Sequence, residues 1–129
     1  MTSVVDSSGW LEYFAGSGNA EVFAPAIEDT PNLVVPTLGL LEVFKRIAQQ
    51  RGEGPALQAI AVMSQGRLVE LDQGLALEAA RLGIEHRLPL ADSVILATAR
   101  AHDATLWTQD VDFRGLPGVR YVEKGGAGG

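Results

Sequence analysis

The chain contains no cysteine in its 129 residues. That excludes thiolate catalysis, cysteine-ligated zinc and a disulfide framework, and it makes a cytoplasmic setting the default expectation. Long apolar runs are also missing: nothing approaches the ~20 residues that a membrane-spanning helix requires. Met1-Thr2-Ser3 leads into strand-like sequence with no basic or apolar leader, so neither a signal peptide nor a membrane partner is expected. Histidine is scarce. His86 and His102 fall in or beside helix ends, where a structural role is the simpler reading and zinc has no natural ligand set. Positive charge is short as well, with ten Lys and Arg against sixteen Asp and Glu, a net charge of -6 and a pI near 4.8. Nucleic acid is gripped by neutralising phosphates with Lys and Arg, so any such grip here has to be local.

What the chain has is acids at the ends of apolar segments. Val4-Val5 reads as a short strand running into Asp6, and Ser7-Ser8 then opens a helix through Trp10, Leu11 and Phe14 that Gly16-Ser17-Gly18-Asn19 breaks. Asp6, Ser7 and Ser8 are good helix caps, and a cap needs no ligand. A carboxylate at the carboxyl end of a strand in an open α/β sheet also points into the crevice where such folds bind ligands. The glycine pair has no following Lys and makes no phosphate-binding loop. A helix from about Ala20 to Glu28, weakened by Pro25, precedes the β-branched run Leu33-Val34-Val35, a buried parallel strand.

Pro36-Thr37 opens a long helix to about Gln50, with apolar face Leu40, Val43, Phe44 and Ile47. Glu42 lies off that face, and Arg46 four residues on offers it an ordinary surface partner. A helix from Gly54-Pro55, a strand at Leu68–Leu71 and a helix over Gln73–Glu85 follow. Ala91 to Ala99 is helical in length and apolar almost all round, which marks a buried helix. Asp92 sits in its first turn, where the helix dipole favours a carboxylate and where it is also a candidate cap. Ala104–Trp107 is the next strand, ending in Thr108-Gln109-Asp110-Val111-Asp112, and Val119–Val122 is an edge strand. Residues 1–123 are expected to form a single domain and 124–129 a disordered Gly-rich tail.

Strands alternating with helices in this order imply an α/β fold of three layers, with a mainly parallel sheet of about five strands covered on both faces. Right-handed crossovers put the strand ends carrying Asp6 and Asp110 on one sheet edge. The helices bearing Glu42 and Asp92 leave from that edge, and Asp112 is within reach of it. Such acids repel: one pair ~4 Å apart costs about 4 kcal/mol at an effective dielectric of 20. A hard cation relieves that cost, and all-oxygen ligation suits Mg²⁺ or Mn²⁺. The matching chemistry is phosphodiester hydrolysis, with Ser7, Ser8, Ser93 and Thr108 as supporting hydroxyls because no His is placed to activate them.

Val5-Asp6-Ser7-Ser8, Glu42 in a helix opening with Pro-Thr, Leu90-Ala91-Asp92-Ser93-Val94-Ile95 and Leu106-Trp107-Thr108-Gln109-Asp110-Val111-Asp112-Phe113 together resemble the four acidic motifs of PIN-domain ribonucleases, in order and in spacing from Val4 to Val122. The length most resembles the VapC toxins of toxin–antitoxin pairs. The resemblance implies a Mg²⁺- or Mn²⁺-dependent endoribonuclease acting on RNA, held inactive by a cognate antitoxin, and a homodimer. By position it implies an acidic tetrad of Asp6, Glu42, Asp92 and Asp110, with Asp112 as an auxiliary acid, all five as metal ligands around a central Asp6, and Thr108 and Ser7 as supporting hydroxyls. Two other classes stay open on the residues alone. A phosphoacceptor receiver domain also has an acidic Mg²⁺ pocket, and a non-catalytic binding module could keep the acids as caps. A further expectation is that Trp10, Tyr13 and Phe14, which look exposed on the first helix, help form an antitoxin groove, with core packing as the alternative.

Overall fold

A computed structural model describes residues 1–125; residues 126–129 of the expected Gly-rich tail lie outside the described residues. Five short strands are all parallel: β1 (Ser3–Val5), β2 (Val34–Pro36), β3 (Arg67–Val69), β4 (Thr105–Thr108) and β5 (Val119–Tyr121). They pair as a three-stranded sheet, β1-β4-β5, and a two-stranded one, β2-β3. One parallel bridge, Ser3 to Leu33, links the two. The expected five strands are present in the order β3-β2-β1-β4-β5, but their ladder narrows to that one bridge in the middle. Strands of three or four residues are too short to sustain a continuous ladder where they splay.

Six helices connect and cover the strands: α1 (Ser7–Ala15), α2 (Ala20–Glu28), α3 (Thr37–Arg51), α4 (Glu53–Met63), α5 (Gln73–His86) and α6 (Leu90–Ala101). Alternation along the strands decides which face each side chain serves. Val5 and Val35 point to one face, against Trp10, Phe23, Val43 and Met63 of α1–α4. Val4, Val34 and Leu106 point to the other, against Leu82 of α5 and Val94, Ile95 and Leu96 of α6. The result is three layers, as expected. Pro25 lies inside α2 and costs it one backbone hydrogen bond without ending it. Among the described residues no helix is long and apolar enough to cross a membrane.

The first helix corrects one expectation. Trp10 is 1% exposed, buried in the core, while Tyr13 and Phe14 are half-buried beside it. Phe14 stacks on Trp10 with ring centroids 5.7 Å apart. The helix approaches the sheet so closely at Gly9 that an added Cβ would lie 2.6 Å from Val5 Cγ1, and that depth draws Trp10 inward. Replacing Trp10 by alanine should therefore cost about 3–5 kcal/mol, the usual penalty for emptying a large aromatic site. A denaturation midpoint shift of under about 1 kcal/mol would contradict the packing.

Crossovers to β2 and β3 run to one side of β1, and the chain returns to place β4 on the other. The switch point therefore falls between β1 and β4, where an open α/β sheet forms its crevice outside the carboxyl ends of the strands. All the candidate acids but Glu42 and Asp92 leave from these two strand ends. Those two come from α3 and α6, which begin at the same edge.

Candidate functional site

Asp6 follows β1 directly and is 3% exposed. It caps α1, Oδ1 accepting from the Gly9 amide at 3.1 Å and from the Ser8 hydroxyl at 2.7 Å. Its other oxygen, Oδ2, accepts from the Thr108 hydroxyl at 2.8 Å. The cap reading and the crevice reading thus describe one geometry. Its backbone amide donates to the Trp107 carbonyl at 3.1 Å, which extends the β1–β4 pairing and sets Asp6 beside Thr108. Burial pushes the Asp6 carboxyl up to about 6, against the three hydrogen bonds, which lower it; Asp110 nearby adds a smaller push upward.

The β4 end is built around Thr108, which is fully buried. Its hydroxyl gives its proton to Asp6 and accepts from the Asp110 amide at 2.9 Å, so one hydroxyl joins the two strand ends. Asp110 then caps a 3₁₀ turn, Val111–Phe113, by accepting from the Asp112 amide at 2.9 Å. That turn swings Asp112 back toward the crevice. Asp92, in the first turn of α6, accepts no hydrogen bond from the described residues, and α6 has no side-chain cap. The capping role considered for Asp92 is absent, and its carboxylate is free to face the crevice.

One oxygen each from Asp92, Asp110 and Asp112 lie within 4.8 Å of one another. Asp6 and Glu42 stand outside this trio but are felt by it. Burial, then Asp110, Asp6, Asp112 and Glu42 in that order, push Asp92 up to about 7. Glu42 is raised too, by burial first and by Asp110, while the Ser7 hydroxyl beside it pulls the other way. Glu42 makes no ion pair with Arg46, the partner its spacing suggested. All five predicted acids therefore share one electrostatic neighbourhood, drawn from four separate segments. Neither histidine joins them: His102 Nδ1 lies 2.9 Å from the Thr98 carbonyl, a contact within its own helix and the turn after it.

A set of hard oxygen donors with mutual repulsion and no charge-balancing Lys or Arg in the trio is what a divalent cation fits. A family model described as PIN domain matches residues 3–119. The chain belongs to the PIN-domain family. Among solved structures, a toxin–antitoxin complex from Klebsiella pneumoniae shares 26% identity at a TM-score of 0.77, over 92% of this chain and 96% of that one. Mycobacterium tuberculosis VapC20, described as a sarcin–ricin loop cleaving toxin, matches at 18% identity and TM-score 0.75, over 95% and 98%. PAE2754 from Pyrobaculum aerophilum matches at 21% and 0.74, over 95% and 90%. No curated protein sequence matches. The resemblance carried by the four acidic motifs thus extends over nearly the whole chain.

Two polar residues of this PIN domain, Asn19 and Gln109, were not singled out by sequence as parts of the site, and of the expected supporting hydroxyls one takes the place of another. Ser8, rather than Ser7, holds Asp6, and its hydroxyl also accepts from the Gln109 amide at 3.3 Å. Buried Asn19 donates to Gln109 Oε1 at 3.0 Å and to the Glu123 carbonyl at 3.1 Å. Asn19 looked like a helix breaker, and the bonds that define it join residues 90 and 104 positions apart. The only local signal was polarity just beyond an apolar segment.

Proposed function

We propose that this PIN domain is a Mg²⁺- or Mn²⁺-dependent endoribonuclease of the VapC toxin type, inhibited by a cognate antitoxin. The observation that carries the reading is the convergence of carboxylates from four segments, three of them within 4.8 Å, with no cation of the chain among them. Asp92, Asp110 and Asp112 would hold the metal, and Asp6 and Glu42 would border it. A bound divalent cation supplies a water of lowered pKa and offsets the charge that grows on a phosphoryl oxygen.

The chain's own residues supply orientation. Thr108 and Ser8 fix both oxygens of Asp6, and the tie from Thr108 to the Asp110 amide sets the two strand ends in register. In the metal-free protein burial and neighbouring carboxylates hold the Asp6 and Asp92 carboxyls well above the usual range, and a bound cation would favour their ionised forms. The antitoxin partner follows from the Klebsiella structure and from the Rickettsia felis and Salmonella VapBC structures of the same fold. A homodimer agrees with the exposure of Leu77 and Ile84, one heptad apart on α5, and of Leu90 at the start of α6.

The family match sets aside the receiver domain, which would also need a second acid beside Asp6. Purified protein is expected to cut structured RNA internally when Mg²⁺ or Mn²⁺ is present and to stop in excess EDTA, as seen by mapping the new RNA ends. Intact RNA under both cations would overturn the nuclease and leave the non-catalytic module.

A further inference from the structure

The acidic crevice opens onto a groove of about 530 Å³ between α1 and α3, whose walls include Ser7, Ser8 and Gln109. Ser8 holds Asp6 and Ser7 lies beside Glu42, so groove and crevice share a wall. Away from the acids the lining turns basic: Arg46, Arg51 and Lys124. Glu12 is the one acid there, and the Ser17 hydroxyl donates to it at 2.9 Å. A second hollow of about 250 Å³ shares Phe14, Ile47 and Arg51 with the first and carries the groove on along α4.

Four of the other arginines make contacts away from the groove, and Arg67, Arg87 and Lys45, also without a salt-bridge partner among the described residues, do not line it. Arg81 pairs with Glu78, Arg100 donates to the Pro117 carbonyl, Arg114 lies over Tyr121 and Arg120 over Trp107. Among the described residues Arg46, Arg51 and Lys124 have no carboxylate within salt-bridge distance. In a chain of net charge -6, three cations that line a groove beside the acidic crevice are placed for an anionic ligand that reaches both.

Resting on the nuclease reading, we propose that this groove is the track for single-stranded RNA flanking the scissile bond, with Arg46, Arg51 and Lys124 holding successive phosphates. A polyanion must enter a crevice that is itself acidic, and cations along its path offset that repulsion before the reacting phosphate reaches the carboxylates. The half-buried Phe14, backed by Trp10, gives the wall an aromatic face on which a base can stack.

The probe is a fluorescein-labelled 12-nucleotide single-stranded RNA, with binding read by anisotropy in the Asp92→Asn background so that cleavage does not intervene. Arg46→Ala/Arg51→Ala is expected to weaken binding at least about tenfold and to reduce the slope of log K against log [salt] by about 1.4, two phosphate contacts at ~0.7 each. Arg46→Lys/Arg51→Lys should retain the slope, and Arg81→Ala should leave affinity unchanged. All these side chains are exposed, so folding is not at stake. Parental affinity and slope in the double alanine variant would overturn the RNA track and leave the groove to an acidic protein segment. Failure of the wild type to cut RNA would instead count against the nuclease reading, because the binding readout does not depend on cleavage.

Discussion

Asp92→Asn is expected to slow RNA cleavage by at least about 10²-fold, the scale on which loss of one preorganised charge-stabilising group is felt, and yet to melt higher than wild type in EDTA at pH 8. Both effects have one cause. Asp92 is free of hydrogen bonds from the described residues, and every charge that acts on it is another carboxylate. Its carboxyl is raised from 3.8 to about 7, a nominal 4 kcal/mol at ~1.4 kcal/mol per unit. The side chain is half-exposed, and solvent screening reduces that to roughly 2 kcal/mol. Asparagine forgoes the favourable contact with the α6 dipole, about 0.3–1 kcal/mol. The net is about 1 kcal/mol, or about 3–5 °C for a domain of this size. With Mg²⁺ present the order should reverse, because only the wild type gains the full ligand set. Thermal melts with and without the cation, beside a cleavage assay, check both halves. A variant cutting at the wild-type rate would remove Asp92 from the machinery, and one melting lower in EDTA would show that burial and the neighbouring acids do not make its charge costly.

The site was more legible in the sequence than the contacts that support it, for a physical reason. Acids at strand ends and in first helical turns can be read locally, because the parallel α/β pattern sends all those positions to one edge. Asp6, Asp92, Asp110 and Asp112 were placed that way, Glu42 only by the edge from which its helix leaves and by the motif resemblance, and the structure brings all five into one neighbourhood. Choosing between Ser7 and Ser8 needed a rotation of ~100° about a helix axis to be known. Ser8 turns back to Asp6 while Ser7 turns toward α3. The Glu42–Arg46 spacing suggested a surface pair, but crevice and groove draw these side chains apart, Glu42 to the acids and Arg46 to the basic wall. Trp10 was misread because helical periodicity ranks faces without giving depth, and depth here is decided by the missing Cβ of Gly9. The narrowing of the sheet to the Ser3–Leu33 bridge is likewise a matter of how strands splay, which an apolar run does not encode.

Metal-free protein should lose stability as pH rises through the range in which most proteins gain it. The Asp6 carboxyl titrates near 3.8 in the unfolded chain and at about 6 in the folded one. Below the lower value both states hold the proton and the folded state keeps its full contribution. Between the two values only the folded state still holds it, so each step upward in pH favours unfolding. By the time the pH has passed the folded value the loss is about 3 kcal/mol for this buried group. Asp92 acts with the same sign and extends the decline toward 7. A divalent cation reverses the trend, since a ligand at a hundredfold excess over its Kd adds about 2.7 kcal/mol to the folded state. In EDTA the melting temperature should therefore be highest in the mildly acid range and fall toward pH 8, while in Mg²⁺ or Mn²⁺ the fall should be largely abolished. Asp6→Asn should flatten the EDTA profile between pH 4 and 6: the amide keeps the oxygen that accepts from Gly9 and Ser8, and Thr108 can turn its hydroxyl to accept from the new NH₂. A metal-free melting temperature that climbs from pH 5 to 8 would show that the buried carboxyls do not hold their protons in the folded state, and one that Mg²⁺ leaves unmoved at pH 8 would show that the crevice binds no cation.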